Sequence, residues 1–182
     1  KASTQVISSG PDTANQNIKN ALLQIINTAN ETLYIQSPYL VPDFAIYEAI
    51  KLAVLRGVDV NIMIPNNPDH ISVHWCSMSF ARDLAKYGVK IYAFDEGFMH
   101  AKVVFADDII STIGTTNIDE RSFLLNFETN VVIYDRDINR QLREQFEKDI
   151  QSSILLTSEY FDHRPWYVKA REPIARIFSP LF

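Results

Sequence analysis

Apolar residues recur along this chain with two distinct periods. Ile18, Leu22, Ile25 and Ile26 fall three and four apart, the spacing that collects side chains on one side of an α-helix, and the pattern runs to about Asn30. Ahead of it, "SGPDTANQN" is a run of turn and capping residues. "TLYIQS" is short, β-branched and aromatic, as a strand should be. "PDFAIYEAIKLAVLRG" opens with Pro42 and Asp43, carries Ile46, Ile50 and Val54 on one side, and closes on Gly57 as a helix does. "VDVNIMIP" alternates with period two and stops at Pro65. "ISVHWCSMSFARDLAKYG" reads as a helix closed by Gly88, and "VKIYAF" as the next strand. Strand and helix in alternation predict an α/β fold: a mixed, mostly parallel central sheet with helices on both faces, in αβα layers.

The rhythm then changes. "MHAKVVFAD" and "IISTIG" are two strand-like runs around Asp107-Asp108, which suits a tight hairpin turn. "NFETNVVIYD" is a further strand. "RDINRQLREQFEKDIQSSILL" predicts one long amphipathic helix with Ile138, Leu142, Phe146 and Ile150 as its apolar stripe. Residues 1–182 read as a single domain, and folding at that length buries roughly 70% of the unfolded surface.

Composition narrows the partners. A net charge of −5 and a pI near 5.3 argue against a surface built for nucleic acid. Cys76 is the only cysteine, so no internal disulfide forms; it lies in an apolar run and reads as a buried structural thiol in a reducing compartment. No apolar run reaches the ~18 residues that span a bilayer, and no signal peptide is visible. The chain starts at Lys1 rather than methionine, and on that ground it reads as a piece of a longer protein.

The chemistry gathers after Met99. If "HAKVV" is strand, His100, Lys102 and Val104 share one side. An unpaired ammonium on a buried face is costly, so this pairing points to a cleft that receives an anion. Beyond the hairpin, "GTTN" adds Gly114 for close backbone approach and neutral donors from Thr115 and Asn117. Together these groups can hold phosphate oxygens. No His, Asp, Glu or Cys cluster has zinc or calcium spacing. Asp107, Asp108, Asp119 and Glu120 read as turn or solvated carboxylates. His70 and His74, four apart on a helix, read as structural or cleft-lining groups, and Trp75, Phe80 and Tyr87 as core.

"HAKVVFAD", six residues and "GTTN" together resemble the phospholipase D signature: His-x-Lys, four residues, Asp, six residues, Gly-Ser/Thr-x-Asn. His100, Lys102, Asp107, Gly114, Thr115 and Asn117 match without a gap, with Thr115 where many members carry serine. "SPYLVPD", "GVKIYAFDEGFMHAK", "GTTNIDERSFLLNFETN" and the final "SPLF" are similar to the C-terminal half of bacterial cardiolipin synthases, over nearly the whole chain. The resemblance implies a phosphatidyltransferase that needs no cofactor or metal and works through a phosphohistidine. His100 would be the nucleophile or the general acid/base, Lys102 and Asn117 would stabilise the transition state, and Glu128 in "NFETN" would orient His100. Asp107 completes the motif, but five extended residues carry it roughly 17 Å from Lys102, which implies a structural duty. The alternatives are a phosphodiesterase acting on phospholipid or nucleic acid, and a domain that only binds phospholipid headgroups.

A second His-x-Lys-x4-Asp is absent from the 182 residues. The resemblance therefore implies two further partners besides phosphatidylglycerol and cardiolipin: the N-terminal half of the same enzyme or a second copy of this domain, and an anionic membrane at the cytoplasmic side of a bacterial cell. The tail 163–182 carries Arg164, Lys169, Arg171 and Arg176 against Glu172. With Trp166, Tyr167, Ile174, Ile177, Phe178, Leu181 and Phe182, it reads either as packed on the domain or as a basic, membrane-facing segment.

Overall fold

A computed structural model describes residues 2–13, 15–177 and 179. The chain runs β1 (Ser3–Ser9), α1 (Asn17–Thr28), β2 (Thr32–Gln36), β3 (Leu40–Val41), α2 (Phe44–Leu55), β4 (Asp59–Pro65), α3 (Ile71–Lys86), β5 (Lys90–Phe94), β6 (Val103–Ala106) and β7 (Ile110–Gly114). It continues with β8 (Ile118–Asp119), α4 (Glu120–Leu124), β9 (Glu128–Tyr134), α5 (Arg136–Gln151), β10 (Ser153–Leu155), α6 (Ser158–Asp162) and α7 (Trp166–Ile177).

Local signals place the helices as the sequence predicts. The Asp43 carboxylate accepts from the Ile46 amide at 2.9 Å, capping α2, and Asp135 does the same for α5 through Ile138 at 3.0 Å. Gly57 and Gly88 follow α2 and α3 with φ of 92° and 102°, the left-handed turn-off that glycine adopts without strain.

Eight strands form one sheet in the order β1-β9-β7-β6-β2-β4-β5-β10. Period-two alternation splits their side chains between two cores. Leu33, Ile35, Ile62, Ile64 and Val104 face α1, α2 and α3. Tyr34, Met63, Val103 and Phe105 face α5, where Phe146 is fully buried. Tyr34 stacks on Phe105 with centroids 4.6 Å apart, and both meet the Phe146 ring edge-on.

Several expectations need correction. The sheet is mixed and flanked by helices, but not mostly parallel: only β2–β4 and β4–β5 run parallel. The other neighbours are antiparallel, because β6, β7 and β9 form a meander that inserts beside β2 and β1 adds antiparallel to β9. The long helix stops at Gln151, and "SIL" leaves it as an edge strand on β5. Tyr87 is exposed rather than core. In the tail, residues 166–177 form a helix packed on α3, whereas Phe178, Leu181 and Phe182 lie outside the described residues.

Candidate active site

Three neighbouring strand ends build the site. β6 begins, β7 ends and β9 begins at the same edge of the sheet, so an antiparallel ladder brings Lys102, Gly114-Thr115 and Glu128 together. The Gly114 amide donates to the Lys102 carbonyl at 3.3 Å, and the Thr115 amide to the Thr129 carbonyl at 3.1 Å. A side chain at Gly114 would collide with the Asn130 amide and the Thr129 carbonyl. The close backbone approach expected there is made by β9, not by a ligand. Asn130 is buried and bridges Thr112 and Thr116 through its amide at 3.0 Å each, which pins the "GTTN" turn.

Asn117 is placed from another direction. β8 follows it and pairs with β3, and that small sheet hangs on two serines: Ser37 accepts from the Ile118 amide at 3.1 Å and Ser77 from the Leu40 amide at 3.0 Å. Asn117 faces a cleft of about 390 Å³ shared with Tyr39, His70, Asp119, Arg121 and Asn126. Its Oδ1 is buried without a partner among the described residues. Buried amide oxygens are normally satisfied, so this one is free for a ligand.

The two residues that open the motif do not lie in a strand. β6 starts at Val103, and His100 and Lys102 precede it in extended chain. His100 is exposed, not buried, and its ring stacks on Phe98 with centroids 5.4 Å apart. Lys102 is half-buried, and its ammonium donates to the His100 carbonyl at 3.1 Å. Burial holds the Lys102 pKa below the usual lysine value, while Glu128, Asp69 and Asp119 pull it back up.

The expected Glu128–His100 hydrogen bond is not made. Glu128 is buried, and its carboxylate takes a short bond from the Thr115 hydroxyl and a second from Asn126 Nδ2 at 3.1 Å. Thr115 in turn accepts from the Thr129 amide at 3.0 Å. The Thr115 hydroxyl is thus engaged by the Glu128 carboxylate. Asp107 lies at the far end of the hairpin. It accepts the backbone amides of Asn30, Glu31 and Thr32 at 2.8, 2.9 and 2.8 Å, a structural clamp. Asp108 pairs with Arg143 at 3.0 Å. Asp119 is not a solvated carboxylate: it is buried, caps α4 through the Ser122 amide at 2.6 Å, and burial raises its pKa against the bonds from Ser122 and Asn117.

Sequence reasoning misses the cleft's other wall. Tyr39 donates to Asp69 at 2.8 Å, and Asp69 also accepts from the His70 amide at 2.8 Å. His70 lines the cleft, as its position allowed, while His74 is turned inward, where burial and then Arg164 and Arg171 lower its pKa to about 4. Cys76 is fully buried and its thiol is pushed up to about 11, an inert packing group. Tyr39 has a sequence signal in "SPYLVPD"; Asn126 has only its place two residues before Glu128.

Known proteins resemble this chain in sequence and in fold. The family model described as "Cardiolipin synthase, PLD-like domain" fits residues 22–150. A curated cardiolipin synthase of Listeria monocytogenes is 45% identical over 179 residues, covering 98% of this chain but 37% of that protein. The chain thus spans little more than a third of the curated relatives it matches. Among solved structures, the phosphatidylserine synthase of Haemophilus influenzae superposes with a TM-score of 0.80 at 16% identity, over all of this chain and 48% of its own. Nuc, a phospholipase D family member from Salmonella typhimurium, superposes at 0.74 and 22% identity, over 87% of this chain and all of its own. At such identities these two likenesses establish the fold alone. With the family model covering residues 22–150, most of the chain, this chain belongs to the cardiolipin synthase family of phospholipase D-like domains.

Proposed function

We propose that this chain is the C-terminal catalytic half of a cardiolipin synthase. The enzyme moves a phosphatidyl group from one phosphatidylglycerol to another at the cytoplasmic face of a bacterial membrane. One histidine attacks the phosphorus, the P–O bond to glycerol breaks, and a second histidine gives its proton to the departing glycerol. The terminal hydroxyl of another phosphatidylglycerol then gives its proton to that second histidine and attacks the phosphohistidine, which frees the first ring and leaves cardiolipin. His100 takes one of these two parts. Lys102 and Asn117 hold the phosphoryl oxygens as negative charge develops, with Gly114 and Thr115 shaping the turn and Glu128 acting through Thr115.

The observation that carries this reading is the convergence of Lys102, Gly114, Thr115 and Glu128 at one sheet edge, beside an exposed His100 and an unpartnered Asn117 Oδ1. The charge balance supports a missing partner. Glu128, Asp69 and Asp119 raise the Lys102 pKa, and against these carboxylates the cleft holds Arg121, so further cations would favour a phosphodiester anion. A second histidine-lysine pair, from the N-terminal half or from another copy, would supply them. Phe98, Leu125 and Phe127 are exposed around the site, which supports a face that is covered in the working enzyme and kept poor in water.

The test is the intact enzyme with phosphatidylglycerol, following cardiolipin, glycerol and phosphatidate. Wild type should release glycerol and cardiolipin together. His100→Ala should lose roughly 10²-fold or more in rate while its circular dichroism stays unchanged. Phosphatidate as the main product would replace transfer by hydrolysis, and more than about a tenth of wild-type activity in the variant would remove His100 from the chemistry.

A further inference from the structure

Helix α7 exposes larger apolar side chains than it buries. A helix on a globular surface normally buries its apolar stripe and shows its charges. Here the inward side is mixed: Val168 and Ala175 pack inward beside a buried carboxylate and two arginines. Glu172 is buried and takes Arg164 at 2.5 Å, with Arg82 at 3.9 Å. Arg171 lies over the Trp75 ring at 4.6 Å, and Arg176 over Phe80 at 4.1 Å while it pairs with Asp83. The Lys169 ammonium donates to the Asp162 carbonyl at 2.8 Å. The outward residues are Trp166, Tyr167, Ala170, Pro173, Ile174 and Ile177. Of these, Trp166 is 79%, Tyr167 56%, Ile174 57% and Ile177 75% exposed.

We propose that this outward face of α7 seats in the interfacial layer of a phospholipid bilayer, by apolar insertion and not by charge. The proposal rests on the lipid-substrate reading above and adds the surface by which the domain meets its substrate's membrane. Three observations favour lipid as the occupant. Trp166 and Tyr167 at the start of the stripe are the side chains that settle at headgroup level, and the isoleucines beyond them suit the acyl boundary. Among the described residues the stripe exposes on the order of 500 Å², as large as the biggest functional patches on monomers but short of the ~800 Å² per partner of a stable protein interface. It also sits beside the cleft: α7 packs along α3, and His70, Ser72 and Val73 at the start of α3 line the cleft. The tail's cations are engaged inside the domain, so the electrostatic attraction that its sequence suggests is not the force at work.

The 182-residue chain can be sedimented with phosphatidylcholine vesicles and with mixed phosphatidylcholine/phosphatidylglycerol vesicles. Binding to both is expected, changing less than about twofold between roughly 0.05 and 0.5 M salt. Ile174→Ser with Ile177→Ser should lower partitioning roughly tenfold or more, with circular dichroism and melting temperature unchanged. A vesicle-induced blue shift of tryptophan emission should vanish in Trp166→Phe. Absence of binding, binding only to anionic vesicles at low salt, or unchanged binding by the double variant would each overturn the proposal. So would a lipid-free dimer that the double variant dissolves, since a second copy would then own the face. Phosphatidyl transfer is not read in this assay, so its failure leaves the transferase reading standing.

Discussion

Truncating the Asp107 clamp should cost stability and spare chemistry. Its carboxylate receives three backbone amides from the segment that enters β2. Hydrogen bonds to a charged group contribute roughly 1.5–3 kcal/mol each when the donor has no other partner. Water can replace the carboxylate at Asn30 and Glu31, where the bonds are exposed, but less well at Thr32, where the bond is half-buried. The three together are therefore worth about 2–3 kcal/mol rather than their full sum. Asp107 also sits at φ 54°, a left-handed conformation that aspartate tolerates better than alanine, which adds roughly 1 kcal/mol. Asp107→Ala should lose about 3–4 kcal/mol. At a urea slope near ~2 kcal/mol/M, that lowers the midpoint by roughly 1.5–2 M. Asp107→Asn keeps the backbone tolerance and one acceptor oxygen and should lose about half as much. Circular dichroism in urea reads both, and turnover of the intact enzyme at low temperature should stay near wild type. A loss below about 1 kcal/mol would remove the clamp, and lost turnover at an unchanged midpoint would return Asp107 to the reaction.

Thr115→Val removes the hydroxyl that joins Glu128 to the "GTTN" turn and should cut turnover roughly 10- to 100-fold, whereas Thr115→Ser should stay near wild type; equal losses in the two would show that the hydroxyl is irrelevant. His74 is held neutral, with its pKa lowered to about 4 in the fold against about 6.5 unfolded. Between those values the unfolded chain binds more protons, so stability should fall as pH drops from about 6.5 toward 4, by up to roughly 3 kcal/mol. His74→Gln should flatten that dependence in urea midpoints measured across the window, and parallel curves for wild type and variant would contradict it.

The elements legible in the sequence are those with one buried side. α1, α2, α3 and α5 carry their apolar stripes inward, and β2, β4, β5 and β9 sit inside the sheet. Where burial stops imprinting a period, reading stops too. β1 is an edge strand exposed along most of its length, so "STQVISS" has no alternation to find. β10 is three residues long and continues the apolar spacing of the helix before it. The antiparallel share escapes notice because β6 inserts between β2 and β7, a pairing that no local pattern encodes. α7 misleads in the opposite way: Arg171 and Arg176 look like surface groups but lie inward over Trp75 and Phe80, with Arg176 paired to Asp83, and Glu172 is buried against Arg164. In the site, the motif residues are legible by type and spacing. The partner of Glu128 is not, since Thr115 and Asn126 reach its carboxylate only once β7 and β9 are in register.

The hairpin that carries the motif behaves as a ruler. The four positions between Lys102 and Asp107 are Val103–Ala106, which is the whole of β6. Returning along β7, Ile110 stands opposite Ala106 and Ile113 opposite Val103, which brings Gly114 back to Lys102. A loop between two reacting groups can absorb an extra residue; a strand cannot. One insertion or deletion in β6 would turn Val103 or Phe105 from the α5 side to the α1 side, and one in β7 would shift Gly114 away from Lys102. Laboratory evolution of this segment should therefore accept many exchanges of apolar side chain and no change of length.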